Sequence, residues 1–538
     1  MIYKRKAIKI FLLMCFIFLM LIIRIVCIMF YDSKELSTKA ELQYDDTPAL
    51  SDINYMLFDY NGRQLLDYKN KYYVVIDIGT FHQNNFDKNS NDLYSLIYIL
   101  KNYNNDYDLL NINNTENNSL TYEIDEDTYD KLKNLKGVKG FYTYMYSAVD
   151  RSASWKIENI LTDPKRLTDK SFKTLDSIEM QVYNKTKDNK YIKERFAKDV
   201  NGNISSKGYI MPQNNVNVRL TFDKNIEDKV KDTLNSDKYK NYSQIGVIIM
   251  DSSSGNILAM VNKNDNDANA NIGAATENGY VPGSIFKIIV DETGIQNNSI
   301  SLTKSYACLP SSISMCKGRE HGSITVAEAL AESCNNVFAK LGEDVGYKNF
   351  IASAKSQGLF NKVFNFDSEA IGDYVEPIKN AGGSRLISIG QNMRITPIQA
   401  ISIANTVAND GVYVKPRLID AYVDDNNNEI TKLPSQKKTI FSKNTADIMK
   451  TQMIQVVKKG TAYLGNIDNI EIGGKTGTST RIDGSNYCSD GWFISFFKLK
   501  DKYYSMVVFV KNIDVDNEEG GTTAVPIFKD IVLNISKN

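Results

Sequence analysis

Val281-Pro282-Gly283-Ser284-Ile285-Phe286-Lys287 is the stretch on which the reading of this chain turns. A Pro-Gly turn stands before its serine and lysine, and the apolar run Ile288-Ile289-Val290 follows them. A helix starting at the turn puts Ser284 in the first turn and Lys287 one turn on, on the same face. Serine becomes a nucleophile when a neighbouring base takes its proton, and a lysine kept neutral by its surroundings can be that base. Alone the pattern says little. Ser-x-x-Lys recurs at Ser301–Lys304, Ser314–Lys317, Ser435–Lys438 and Ser495–Lys498, and an ordinary helix start accounts for any one of them.

The flanks give it weight. Alternation over Asn215–Asp223 predicts a strand, followed by a helix from Lys224 to about Leu234. Gly246–Asp251 and Ile257–Val261, around Ser253-Ser254-Gly255, predict a hairpin. A second pair, Gly491–Leu499 and Tyr503–Val510, meets at Lys500-Asp501-Lys502. Residues 284–460 read as mainly helical, for example Thr325–Leu341 and Pro397–Asn409. Strands at both ends with helices between them predict an antiparallel sheet closed by distant segments, with a helical insert.

Two more signatures lie downstream: Ser333-Cys334-Asn335 in a helical stretch, and Lys475-Thr476-Gly477-Thr478 after Ile472-Gly473-Gly474 on a predicted strand. In this order and spacing the three resemble the active-site set of penicillin-binding proteins and serine β-lactamases. The flanks resemble the class B penicillin-binding proteins: the strand pair Val247–Met260, Gly390-Gln391 with Thr396-Pro397-Ile398-Gln399, and Gly520-Gly521-Thr522-Thr523-Ala524-Val525-Pro526-Ile527-Phe528. The resemblance covers residues 215–538. It continues faintly upstream in Asp59-Tyr60-Asn61-Gly62 and from Gly137 through Arg151, with Tyr60 where the family usually has arginine.

That resemblance implies an α/β (α+β) chain with a transpeptidase domain, an antiparallel sheet flanked by helices, over 215–538. A pedestal over 32–214, a transmembrane helix over 10–31 and a cytoplasmic tail over 1–9 would precede it. It implies a D,D-transpeptidase that cross-links peptidoglycan stem peptides ending in D-Ala-D-Ala and that β-lactams acylate. Ser284 is then the nucleophile, Lys287 its base and Ser333 a proton relay to the leaving amine. Asn335 would hold the stem-peptide amide; Lys475, Thr476, Gly477 and Thr478 would hold the terminal carboxylate and the strand-like donor. Backbone N–H groups of Ser284 and Thr478 would form the oxyanion hole. The implied partner is a polytopic glycosyltransferase of the shape, elongation, division and sporulation (SEDS) family. A β-lactamase or β-lactam sensor is the nearest rival, and a non-catalytic scaffold of the wall-synthesis complex the next. The Glu-x-x-Leu-Asn segment that deacylates class A β-lactamases is not visible between Asn335 and Lys475.

Length, charge and the N-terminal segment narrow the class further. At 538 residues two or more domains are expected. Acidic and basic residues balance at 64 each, which gives nucleic-acid binding no support. Ile10–Tyr31 is apolar apart from Arg24 and follows Lys4, Arg5, Lys6 and Lys9, predicting an uncleaved anchor with its N-terminus in the cytoplasm. A cleaved signal peptide is the competing reading. Asp32 to about Pro212 is polar with short strand-like runs and helices near Leu93–Leu100 and Asp125–Lys136. It carries no catalytic constellation and reads as a docking platform.

Beyond Cys15 and Cys27 in the anchor, the cysteines are Cys308, Cys316, Cys334 and Cys488. Cys308, Cys316 and His321 lie between the first two motifs, and Cys488 lies ten residues past Thr478. A set of three thiolates and one imidazole suits tetrahedral zinc in a structural role, with Cys334 as a packed small residue. Disulfide pairing and unpaired thiols are the alternatives, and His321-Gly322 also occurs in the family without metal.

Overall fold

The computed structural model describes residues 2–29, 45–85, 91–111, 118–311, 314–316, 318–377, 383–483 and 486–537. An apolar helix, Ile2–Cys27, opens the chain. Its segment Lys6–Cys27, of mean hydropathy 3.0, is long and apolar enough to cross a membrane and fits a single-pass anchor. Positions 30 and 31 of the expected span lie outside the described residues.

The chain divides into two compact units. The smaller comprises Met1–Asn54, Asp67–Val149 and Lys190–Gln213. Its three-stranded antiparallel sheet centres on Tyr68–Asp77, paired with Ser119–Ile124 and Phe141–Val149. Helix Asn91–Tyr103 buries Leu93, Leu96, Ile97 and Leu100 against that sheet's core, the i, i+3, i+4, i+7 stripe the sequence carries. Asp125 caps Glu126–Lys133 by accepting from the Thr128 N–H.

The larger unit is Tyr55–Leu66, Asp150–Asn189 and Asn214–Asn538. The sequence suggests one boundary at 214/215; the structure instead folds two upstream pieces into the larger unit. Leu57–Phe58 runs parallel to Asn217–Leu220, with Leu57 opposite Val218. The next turn is held by the buried Asp59, whose carboxylate accepts from the N–H groups of Asn61, Arg63 and Lys224. Arg166 grips Asp367 with Nε and Nη2 at 2.7 and 2.8 Å. Such partners are distant in sequence, so local patterns cannot announce them.

The larger unit is built on five antiparallel strands: β1 (Gln244–Asp251), β2 (Ile257–Asn262), β3 (Ile472–Asp483), β4 (Asn486–Leu499) and β5 (Lys502–Ile513). Their spatial order is β2-β1-β5-β4-β3. The C-terminal β5 therefore lies between β1 and β4, with Ile248 opposite Val507 and Phe493 opposite Val508. This is the closure by distant segments that the sequence predicts. β3 is an edge, and the turn that carries Ser284 packs against it.

Helices cover both faces, as two-faced apolar strands require. α1 (Lys224–Leu234) packs on β2, and α7 (Ala524–Ile535) packs on β4 and β5. Against the sheet also lies α5 (Pro397–Ala408), all twelve of whose residues are buried. Its start explains Thr396-Pro397-Ile398-Gln399. Thr396 and Gln399 form a reciprocal capping box, and Pro397 fills a first-turn position where a missing N–H costs nothing. α6 (Lys443–Lys459) packs against β3. The remaining helices needed for the site are α2 (Lys287–Gln296), α3 (Val326–Ala331) and α4 (Asn335–Val345).

Candidate active site

Ser284 lies not in an α-helix but in a 3₁₀ turn, Gly283–Phe286, that runs into α2 at Lys287. With three residues per turn, side chains at i and i+3 eclipse, which an α-turn does only loosely. The Ser284 hydroxyl consequently meets Lys287 Nζ at 2.9 Å. The turn is braced from three sides. The Gly283 N–H donates to the Gly390 carbonyl at 3.1 Å, the backbones of Tyr280 and Ile395 exchange hydrogen bonds, and Trp492 Nε1 donates to the Val281 carbonyl. Gly283 has φ +58°, and a Cβ there would stand 2.7 Å from the Thr478 carbonyl oxygen. A Cβ on Gly390 would stand 1.9 Å from the Gly283 oxygen. These two glycines let the turn that carries Ser284 close on β3 and on the Gly390-Gln391 segment.

The second motif departs from a simple helix. Thr325–Leu341 does not form one helix: α3 starts at the Thr325/Glu328 capping box and ends before Ser333, which adopts φ +56°. Cys334 is extended and α4 begins at Asn335. The break has a purpose that geometry makes plain. Residues i and i+2 face apart on a continuous helix, yet Ser333 and Asn335 both reach Lys287. Lys287 Nζ lies 2.6 Å from the Ser333 carbonyl, 3.1 Å from its hydroxyl and 2.7 Å from Asn335 Oδ1. A left-handed serine stores backbone strain of roughly 1–3 kcal/mol, here spent beside the reacting group.

Lys287 is wholly buried, and burial lowers its pKa from the usual lysine range to about 7. Among the described residues no carboxylate is hydrogen-bonded to it. Neutral, the amine has two N–H donors and one lone pair. The two short contacts to the Ser333 carbonyl and Asn335 Oδ1 take the donors, leaving the lone pair for the Ser284 O–H. The arrangement is that of a base.

On β3, Lys475 is fully buried, and burial followed by repulsion from Lys287 drives its pKa well below the usual range. Glu332 partly offsets this. Alternation along the strand puts Gly477 on the side of the turn that carries Ser284, where a Cβ would stand 2.7 Å from the Pro282 oxygen. Thr478 is half-buried and its hydroxyl accepts from the Gly520 N–H at 3.0 Å. Its backbone faces Gly283, the neighbour of Ser284. Thr476, expected among the substrate-binding residues, is buried, with its hydroxyl 2.7 Å from that of Thr461. Its side chain is taken up by that contact, leaving backbone as its means of meeting a ligand.

A second cluster adjoins the first. Cys308, Cys316, His321 and Cys334 have their ligand atoms within 4.8 Å of one another. Cys308 Sγ lies 3.5 Å from His321 Nδ1, and Cys316 Sγ lies 3.8 Å from Cys334 Sγ. The short hairpin Tyr306–Cys308 with Gly322–Ile324 aligns Cys308 opposite Gly322, next to His321. Burial opposes ionisation of Cys308, but hydrogen bonds from His321 and Asn336 outweigh it and bring its thiol to about 6.

Cys488 is not in this group, contrary to the reading from sequence, and Cys334 takes its place. β3 and β4 pair without interruption, with Thr478 opposite Gly491 and Cys488 opposite Arg481. Ten residues of chain thus return Cys488 to a point three residues beyond Thr478, roughly 10 Å along the strand. Asn336 is a further member that the sequence reading passed over. Its amide donates to Cys308 Sγ and the Ser314 hydroxyl, and accepts from the Met315 N–H. Its one signal is adjacency to Ser333-Cys334-Asn335.

A sheet with this strand order, a serine–lysine pair at its edge and a Lys-Thr-Gly strand beside them define a class. The family model for the penicillin binding protein transpeptidase domain matches residues 245–533, and the chain belongs to that family, in its class B branch. Among curated relatives, Stage V sporulation protein D of Bacillus subtilis is 27% identical over 359 residues, 60% of this chain and 54% of that one. Peptidoglycan D,D-transpeptidase PbpA of Mycolicibacterium smegmatis is 29% identical over 262 residues, 46% of this chain and 53% of that one. The chain thus spans about half the length of these relatives. Penicillin-binding protein 3 of Mycobacterium tuberculosis, solved with aztreonam, is 16% identical with TM-score 0.60, covering 91% of this chain and 96% of that one. Penicillin-binding protein A of M. tuberculosis, solved as a ceftriaxone acyl-enzyme, is 22% identical with TM-score 0.52, covering 60% and 80%. These two likenesses show the fold.

Proposed function

We propose that this protein is a membrane-anchored D,D-transpeptidase that joins peptidoglycan stem peptides through an acyl-enzyme on Ser284. The observation that carries the reading is the wholly buried Lys287, its Nζ 2.9 Å from the Ser284 hydroxyl and its pKa lowered by burial to about 7. Ser284 attacks the carbonyl of the penultimate D-Ala while Lys287 takes its proton. The oxyanion is received by the backbone N–H groups of Ser284 and Thr478, the second on the β3 edge that faces Gly283. Ser333, in contact with Lys287, returns a proton to the departing D-Ala nitrogen. Asn335 holds the donor amide, and Lys475 with Thr478 meets the terminal carboxylate. An acceptor amine then attacks the ester, expelling Ser284; attack by water instead is a carboxypeptidase side reaction. β-Lactams enter the first half of this cycle and stop there.

The relatives named for transpeptidase activity support the reading, as does the acyl-enzyme of the solved neighbour. The basic residues in the first turns of the Ile2–Cys27 helix, Lys4, Arg5, Lys6 and Lys9, support a cytoplasmic N-terminus and an external catalytic unit. A polytopic glycosyltransferase of the SEDS family is the proposed partner. Incubation of the detergent-solubilised protein with a D-Ala-D-Ala donor and an amine acceptor should release one D-Ala per cross-linked product. Stoichiometric donor with neither release nor product after hours would exclude the reaction.

We further propose that Cys308, Cys316, His321 and Cys334 hold a structural zinc ion. Tetrahedral zinc with bonds of about 2.3 Å to sulfur and about 2.05 Å to nitrogen sets S···S edges near 3.8 Å and S···N edges near 3.5 Å. The Cys316–Cys334 and Cys308–His321 separations match those edges, and Asn336 supplies an outer hydrogen bond to one thiolate. Four protein ligands leave no open position, so the ion would act by tying the 308–321 segment to Ser333-Cys334-Asn335. Elemental analysis should give about one zinc per chain. Cys308→Ser should lose it and unfold several degrees lower, while Cys488→Ser should keep both zinc and stability. A zinc-free wild type, or zinc lost from the Cys488 variant alone, would end the proposal.

A further inference from the structure

We propose that Arg319 binds a carboxylate carried by the acyl donor, and that Glu519 occupies the same guanidinium in the free protein. The inference rests on the acyl-transfer reading above and adds a specificity residue to it. Arg319 belongs to the loop of Cys316 and His321, and its backbone N–H donates to the Cys316 carbonyl at 3.1 Å. Its guanidinium reaches across to Glu519, with Nη1 2.7 Å from Oε1. Glu519 immediately precedes Gly520, whose N–H donates to the Thr478 hydroxyl. At its other end the same loop touches Asn335, whose Nδ2 lies 3.3 Å from the Met315 carbonyl. The ion pair therefore spans from the segment beside Asn335 to the segment behind Thr478. Asn335, which on that reading holds the donor's amide, is linked to Arg319 through the Met315 and Cys316 carbonyls, so Arg319 is the cation this loop offers to the donor's next side chains.

Three features make the pair exchangeable. Arg319 and Glu519 side chains are 78% and 51% exposed, so water and salt screen them and little holds the pair shut. The backbone of Glu519 is fixed without its carboxylate: its carbonyl accepts from the N–H and hydroxyl groups of Thr522 and Thr523, and its N–H donates to the Thr522 hydroxyl. The carboxylate can leave while the loop stays. Finally, a guanidinium is a planar fork that suits any carboxylate in its reach, so a donor carboxylate replaces like with like.

Benzylpenicillin and carbenicillin differ by one side-chain carboxylate, and their ring carboxylate cancels in a ratio of rates. Acylation of the full-length protein by each, for wild type, Arg319→Gln and Glu519→Gln, tests the assignment. Arg319→Gln should lower the carbenicillin-to-benzylpenicillin ratio by roughly fivefold or more, and Glu519→Gln should raise it by about threefold. Opposite shifts cannot come from a loop merely disturbed by substitution. A ratio unmoved in both variants, or moved the same way in both, overturns the role of Arg319. If benzylpenicillin acylates no wild-type Ser284, the acyl-transfer reading falls first, which is a separate result.

Discussion

Ser284→Ala should abolish covalent labelling by a fluorescent penicillin and slow donor turnover by roughly 10⁴-fold or more, the scale on which a lost nucleophile acts. The substitution removes one half-buried hydroxyl whose contact is Lys287 Nζ, so the turn, its glycine contacts and the Trp492 brace are untouched. An unchanged melting temperature beside lost labelling would place the effect in the chemistry. Equal labelling of wild type and variant would remove the acyl-enzyme from the mechanism. The same variant addresses a purely scaffolding role: in cells that depend on this protein, Ser284→Ala should fail to support growth or development, whereas a scaffold would tolerate it.

Lys287→Met should slow acylation by roughly 10²- to 10⁴-fold, the range of a lost general base. Methionine keeps much of the buried volume, while the Ser333 carbonyl and Asn335 Oδ1 lose their donor. In the wild type the base works only when neutral. Its pKa is lowered to about 7, so acylation should be flat above that pH and fall roughly tenfold per unit below it. The variant should lose this acid limb along with the rate. A wild-type rate that is flat from pH 5 to 8, or a variant that keeps the limb, would assign the proton to another group.

How much of this was legible beforehand follows from distance along the chain. The β1–β2 and β3–β4–β5 strands, the start of α5 at its capping box and the covered stripe of Asn91–Tyr103 all depend on local periodicity or local capping, and sequence reading reaches them. The order of three motifs singles out Ser284, Lys287, Ser333, Asn335, Lys475 and Thr478, and the fold brings Ser284, Ser333 and Asn335 to Lys287. What escaped was conformation at single residues. Nothing in the letters Ser333-Cys334-Asn335 shows that the serine leaves the helix, and that one left-handed residue both brings two side chains to Lys287 and swings Cys334 toward Cys316. Nor does the ten-residue separation of Cys488 from Thr478 fix its distance: the pairing register, which is set by the partner strand, carries it away.

The placement of β5 bears on how the molecule comes into being. The strand that fills the middle of the larger unit's sheet is synthesised about 250 residues after its neighbour Gln244–Asp251, which has long left the ribosome when Lys502–Ile513 emerges. Until then β1 and β4 present unpaired edges to each other across a gap. Contacts so remote in sequence form slowly, and a chain cut short before residue 502 would have no means of closing. Assembly of the site around Ser284 thus waits for Lys502–Ile513, open to whatever binds exposed strands in the interval, and a chain terminated between β4 and β5 would be an aggregation-prone product in place of a weaker enzyme.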